Sequence, residues 1–253
     1  VINLTFGAAL NAVYVIAMQL KNSIQSFAMN IFKAISPQIT KTYACGELEL
    51  HKALVYTGSK IAVYMLYLIL FPFLFQADYI MHLWLGNVPP YTVEFAQVMA
   101  FVSLTYAAFE PIRSAVLATN RITKFMLIPD SVSLLGLPIA YLFAKYGGDP
   151  SVLVYVILAM EVFACGLRIF YGAQVSVIKV REVFQRVVIP ICLVGGILSA
   201  LWWFFLSSFS PTILHLTFTI LLNALATIFT VLAFGLSQTE KVALWRECRK
   251  LNL

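Results

Sequence analysis

The chain has 253 residues, 61% of them hydrophobic and only 11% charged, and its mean hydropathy is +0.89. Water-soluble domains average nearer half apolar and a quarter charged, so the composition excludes a soluble globular domain and predicts a membrane protein. The net charge of +6 comes from basic residues dispersed between apolar spans, a pattern that speaks against nucleic acid as a partner and for membrane topology.

In chain order, Val1 to Phe6 reads as the tail of a helix whose beginning is missing, with no initiator Met, signal peptide or charged n-region. The stretch Asn11 to Gly46 follows. It is apolar enough to cross a membrane, yet Gln19, Asn22, Ser23, Ser26, Asn30 and Lys33 recur in it every three or four residues. At about 100° per residue they share one narrow helical face, with Ile24, Phe27, Ile31 and Ile35 over much of the other side. A polar row facing lipid is costly, so this face is expected to line a protein-walled or watery cavity. The competing reading is that the small polar groups bind the helix to its neighbours.

A polar loop is expected over Ser36 to Lys52, then apolar spans at 55–77, 92–117, 125–144, 151–176, 187–206 and 212–236. Each is long enough to cross about 30 Å of hydrocarbon, and with the Asn11 helix they make about seven transmembrane helices in an all-α polytopic bundle. Turn chemistry separates them: Gly86-Asn87 with Pro89-Pro90, Thr119-Asn120, Gly147-Gly148-Asp149-Pro150, and Ser207 to Pro211.

If the helices alternate, most Lys and Arg fall on one side. These are Lys33, Lys41, Lys52, Lys60, Arg121, Lys124, Lys179, Arg181, Arg186, Lys241, Arg246, Arg249 and Lys250, against Lys145 on the other. The positive-inside rule makes the first side cytoplasmic, with the chain start outside and the C-terminus inside. Trp84, Tyr91 and Tyr146 take interfacial positions on the outer side.

Three cations, Lys21, Arg113 and Arg168, fall within spans, where a charge must pair, snorkel or work. Arg113 lies one turn from Glu110, with Pro111 between as an expected kink. Glu110, Arg113, Asp130 and Arg168 come to similar depth towards the cytoplasm. They read either as an ion-pair network tying three helices together or as a gate or headgroup contact that breaks as the protein changes state. Lys21 and Glu161 lie deeper, near mid-bilayer, at depths that allow a pair. Lys21 sits about 200° round from Gln19 and so faces away from the polar row, and Glu161 is a candidate carrier of a coupling proton.

Signs of enzyme chemistry are scarce. His51, His82 and His215 are widely separated, and no HExxH, Gly-rich phosphate loop or serine elbow occurs. Asp78 and His82, one turn apart, read most simply as an interfacial surface pair. Cys45, Cys165, Cys192 and Cys248 lack metal-ligand spacing and read as unpaired thiols. No catalytic residue, metal or cofactor is expected.

Asn11, Ile16-Ala17 and Gln19, then Ser36-Pro37-Gln38-Ile39-Thr40-Lys41 with Tyr43-Ala44 and Gly46, resemble the polysaccharide-biosynthesis flippases. These are the Wzx-type O-antigen exporters of the MATE-like MOP transporter superfamily. The similarity continues in Trp84-Leu85-Gly86 with Pro90-Tyr91-Thr92, in Ala118-Thr119-Asn120, and in Pro138 with Tyr141-Leu142, and covers essentially the whole chain. It implies two six-helix lobes around a central cavity, often with two added C-terminal helices. On that reading 1–176 is a second lobe with a truncated first helix, and 177–253 holds two additional helices and a basic cytoplasmic tail.

The resemblance further implies a bacterial inner-membrane protein whose missing N-terminal lobe is its partner, along with membrane lipids. It would flip undecaprenyl-pyrophosphate-linked oligosaccharide from the inner to the outer leaflet by alternating access. Gln19, Asn22, Ser26 and Asn30 suit sugar hydroxyls, because amides both donate and accept hydrogen bonds. Lys33 and Arg168 are the candidate pyrophosphate contacts, and Lys21, Glu110, Arg113, Asp130 and Glu161 the gating charges. Relatives often carry Arg-Gly where this chain has Tyr14-Val15, which removes an intramembrane cation. A MATE-like drug or metabolite exporter is the nearest rival, and a membrane enzyme of envelope glycan assembly the alternative from another class.

Overall fold

Every regular element among the described residues is helical. The structure, a computed structural model, describes residues 2–146, 148–205, 212–237 and 240; for 2–5, 31, 144 and 205 it describes the backbone alone. The expected Ser207–Pro211 turn, Cys248 and the basic residues from Lys241 onward lie outside the described residues. Among the described residues six helical runs are long and apolar enough to cross a membrane: Leu48–Phe75, Thr92–Ala118, Thr123–Phe143, Val152–Val175, Val180–Phe204 and Ile213–Gly235. The protein is a multi-pass helical membrane bundle.

The first helix, α1, runs Ile2–Ala44 and is broken at Gly7, whose φ of +84° suits glycine alone. Here the Asn11 helix is present, but α1 is not among the six apolar runs, because beyond Gly7 it carries Gln19, Lys21, Asn22, Ser23, Gln25 and Ser26 in quick succession. The loop expected over Ser36–Lys52 is helix instead, apart from a turn at Cys45–Glu47. Pro37 lacks an N–H and crowds the carbonyl of Lys33, yet tertiary anchors carry the helix through it. Ile39 is fully buried, Ser36 Oγ meets Ser114 Oγ at 3.0 Å, and His51 Nδ1 donates to the Ile39 carbonyl at 2.9 Å. Helix α1 then ends on a glycine cap. Gly46 has φ +76°, with bonds from Gly46 N to Tyr43 O at 3.1 Å and from Glu47 N to Thr42 O at 2.9 Å.

The next helices are α2 (Leu48–Phe75), α3 (Ala77–Leu85), α4 (Thr92–Ala118), α5 (Thr123–Lys145) and α6 (Val152–Val175). α3 falls between the expected spans 55–77 and 92–117. It forms because Ala77 and Met81, one turn apart, both bury while Leu83 and Trp84 stay exposed. α4 stops at Thr119-Asn120, where Asn120 takes φ +59°, a conformation asparagine tolerates. The last rods are α7 (Val180–Val183) with a π segment (Phe184–Val188) and α8 (Ile189–Phe205), then α9 (Ile213–Thr230) with a π segment (Val231–Gly235). The run into α8 starts at Val180, earlier than expected, so Arg181 and Arg186 belong to helix rather than loop. Glu182 accepts from Tyr56 at 3.0 Å, and Arg186 lies 5.9 Å from the Tyr56 ring centroid.

Helix α2 is the hub. It packs on α1, α4, α8 and α9, while α4 packs on α1 and α6, and α5 pairs with α6. Lys60, which the charge distribution placed among the topology-setting cations, is instead 3% exposed inside α2. Its Nζ meets Glu240 at 2.5 Å and the Gly235 carbonyl at 3.4 Å, where the C-terminal end of the second π segment presents partial negative charge. Burial pushes the Glu240 carboxyl up, but hydrogen bonds from Lys60, Thr57 and Ser237 outweigh it and hold the group below the usual carboxylate value.

Two polar residues of α9, Thr219 and Asn223, act as helix glue: Gln76 Nε2 donates to Thr219 Oγ1 at 2.9 Å. Asn223 Nδ2 donates to the Tyr67 and Leu68 carbonyls, both at 3.2 Å, and its Oδ1 accepts from Trp202 Nε1 at 2.9 Å. Tyr67 also donates to Ile191 O at 3.0 Å, and its hydroxyl lies so close over Gly195 that an added Cβ would sit 2.7 Å from it. Gly195→Ala should therefore cost about 1–3 kcal/mol through overpacking. Thermal unfolding in detergent should show this loss, and Tyr67→Phe in the same chain should relieve part of it; wild-type unfolding of the Ala variant would mean that α8 is free to shift.

Candidate functional site

The polar row of α1 lies on the outside of the bundle. Gln19, Asn22, Ser23, Ser26, Asn30 and Lys33 are all exposed, whereas Ala17, Ile24, Ala28, Phe32 and Ile39 are buried. On a regular helix these two sets are centred about 180° apart. Of the expected apolar side, Ile24 is buried and Ile35 half-buried, but Phe27 is exposed at the flank of the polar row; the Ile31 side chain lies outside the described residues. The row's side-chain bonds stay within α1: Ser23 donates to the Gln19 carbonyl at 3.0 Å, and Lys33 to Asn30 Oδ1 at 3.3 Å. Among the described residues no other helix touches it with a hydrogen bond, in contrast to the buried polar face of α9.

On the flank of α1 that meets α4, Lys21 reaches a second cluster. Its Nζ lies 5.2 Å from the centroid of the Tyr106 ring, and the Arg168 guanidinium lies 5.6 Å from the same centroid. Such cation–π contacts contribute about 0.5–2 kcal/mol, most where water is excluded. The Tyr106 hydroxyl donates to Glu161 Oε1 at 3.1 Å. Glu161 Oε2 takes Arg168 NH1 at 3.3 Å, and Asp130 Oδ1 takes Arg168 NH2 at 3.0 Å. Glu110 and Arg113 pair with each other at 3.1 Å on α4.

A cleft of about 270 Å³ has Tyr106, Glu110, Arg113, Asp130 and Arg168 in its lining, so the four charges expected at one depth do share one space. They form two pairings rather than one network. The depth-based Lys21–Glu161 pair is replaced: no ion pair within 4 Å joins them among the described residues, and Tyr106 stands between as the shared contact of both.

The spacing explains the placement. Tyr106, Glu110 and Arg113 fall on one face of α4, and Glu161, Cys165 and Arg168 on one face of α6, because steps of four and seven residues return a helix close to its starting angle. With three cations (Lys21, Arg113, Arg168) and three carboxylates (Glu110, Asp130, Glu161) the cluster is formally neutral. Arg168 is committed to two carboxylates, while Lys33 stands exposed at one end of the polar row.

No protein family, curated protein or solved structure matches the chain. Its site must be judged on its own geometry. Among the described residues no three His, Cys, Asp or Glu side chains gather as metal ligands. His82 Nδ1 donates to the Asp78 carbonyl at 2.8 Å, with the Asp78 carboxylate at 3.6 Å. Sequence reasoning missed Tyr106, although its position one turn before Glu110 was a usable signal. It also missed the Lys60–Glu240 tie, for which a lone Lys about three turns into an apolar helix was the signal.

Proposed function

We propose that this chain is one lobe of a membrane transporter that moves a lipid-linked oligosaccharide from the inner to the outer leaflet of a bacterial inner membrane. One observation carries the reading: the amide and hydroxyl row of α1 is turned out of the bundle, opposite the helix's buried face, and among the described residues no other helix engages it by hydrogen bonding. Facing lipid, such a row would be penalised; facing a cavity closed by a second lobe, it offers paired donors and acceptors at the spacing of sugar hydroxyls. Gln19, Asn22, Ser26 and Asn30 hold the saccharide, and Lys33, the row's cation, meets the pyrophosphate. The prenyl chain stays in the bilayer beside the lobe.

In this reading α1 is the seventh crossing, the chain starts outside and ends inside, and the Tyr106 cluster holds α1, α4, α5 and α6 in one arrangement. The test is made in the source cell with the complete gene deleted. Prenyl-linked saccharides are extracted, identified by mass, and assigned to a leaflet with an externally added, membrane-impermeant glycosidase. Complete units trapped on the inner leaflet are the expected result. Units lacking a sugar or acyl group, or complete units stranded outside, would point to an enzyme and overturn the proposal.

A further inference from the structure

A second candidate site lies away from the polar row, in a furrow whose floor is α2 and α4 and whose walls are α6 and α8. It has a volume of about 510 Å³ and is lined by apolar side chains such as Leu70, Phe71, Phe101 and Leu158, with Glu94 and Gln97 at one end. That end opens into a polar mouth of about 410 Å³ that shares Glu94 and Gln97 and adds Asp78 and His82. From Glu94 to Leu104 is ten residues of α4, or about 15 Å, half the ~30 Å thickness of a bilayer's hydrocarbon core. The furrow thus has the length of one leaflet, with its polar end at the first turn of α4 and beside α3, where Trp84 and Tyr91 are exposed as interfacial aromatics are.

The charge at the mouth is one-sided. Among the described residues no Lys or Arg lines either space. Glu94 is half-buried, and among the described residues its side chain accepts only from hydroxyls, Ser151 at 2.5 Å and Tyr155 at 2.9 Å. Both of these donors are neutral, so neither offsets the charge of a carboxylate. Glu110, Asp130, Glu161 and Glu240 each have a cation within 4 Å; Glu94 has none among the described residues.

We propose that the furrow holds one membrane phospholipid with a primary ammonium headgroup. Its acyl chain lies along Phe71, Phe101 and Leu158, and its ammonium sits at Glu94, with Asp78 adding to the negative field. The assignment is independent of what the polar row of α1 carries. A bilayer lipid, rather than a soluble amine, matches a furrow of leaflet length walled by membrane-spanning helices, with its charged end at the interface.

The test uses the full chain in mixed micelles with equimolar phosphatidylethanolamine and phosphatidylglycerol, and counts retained lipids by native mass spectrometry. Retention of the ethanolamine lipid about fivefold over the glycerol lipid is expected. Glu94→Gln, whose carbonyl still accepts from Ser151 or Tyr155, should bring that ratio to about one without reducing the total lipid retained. Ser199→Trp, on the α8 wall, should remove one lipid of either kind. Equal retention of the two lipids by the wild type, or an unchanged ratio in Glu94→Gln, overturns the assignment.

Discussion

Replacing Arg168 by Met should cost about 3–5 kcal/mol, because it leaves the Glu161 carboxylate buried without its cation. The Arg168 side chain is 13% exposed and that of Glu161 7%, so neither can turn to water when its partner is lost. Asp130, at 58%, can, and Asp130→Asn should therefore cost no more than about 1 kcal/mol. The paired variant Glu161→Gln with Arg168→Met should recover more than half of the single-variant loss, since a neutral amide still accepts from Tyr106. The comparison is a double-mutant cycle on unfolding in detergent. A single-variant loss below about 1 kcal/mol, or a double variant no better than Arg168→Met, would show that the buried Glu161–Arg168 pair of α6 does not stabilise the fold.

The same cluster shows how far the sequence could be read. Depth along the helices was legible because each residue advances a helix by a fixed rise, and that alone brought Glu110, Arg113, Asp130 and Arg168 to one cleft. Which charge met which was not, because pairing depends on the rotation of four helices about their axes. An aromatic ring between Lys21 and Glu161 is a three-helix property that no spacing on α1 reveals.

Apolarity also misleads about burial in a membrane. The runs through α6, α8 and α9 are the most apolar and among the least buried, while α2 carries Lys60, Ser59 and three tyrosines (Tyr56, Tyr64 and Tyr67) and is the most buried. Lipid is as apolar as leucine, so helices facing it need no polar partners, and polar groups gather where neighbours can satisfy them. That inversion is why Lys60 read as one of the topology-setting cations and is found in the interior. The Ser36–Lys52 stretch misled for a related reason: its polar residues and Pro37 signalled a loop, while the burial of Ile39 and the bond of Ser36 to Ser114 on α4 are tertiary contacts that the segment's own sequence does not display.

The largest functional effect is expected from replacing Asn22, Ser26 and Asn30 together by Ala. All three side chains are exposed on the outward face of α1, and among the described residues their one side-chain hydrogen bond joins Asn30 to Lys33 of the same helix. Removing them should leave stability within about 0.5 kcal/mol of wild type, as for exposed positions generally, with Ala also the best helix former. If the row lines the saccharide path, the variant loses three groups that exchange hydrogen bonds with sugar, each contributing about 0.5–1.5 kcal/mol. Together these predict a fall in export of at least tenfold at normal expression. The contrast with Asn223→Ala is the control. That residue is equally polar but 1% exposed and bonded to α2 and α8, so its loss should lower stability and leave the export rate per folded molecule near wild type. Wild-type export by the triple variant would remove the row from the transport path. A fall in stability matching the fall in export would make the row a packing surface for another protein segment, because a surface that only meets cargo has no role in holding the empty protein together.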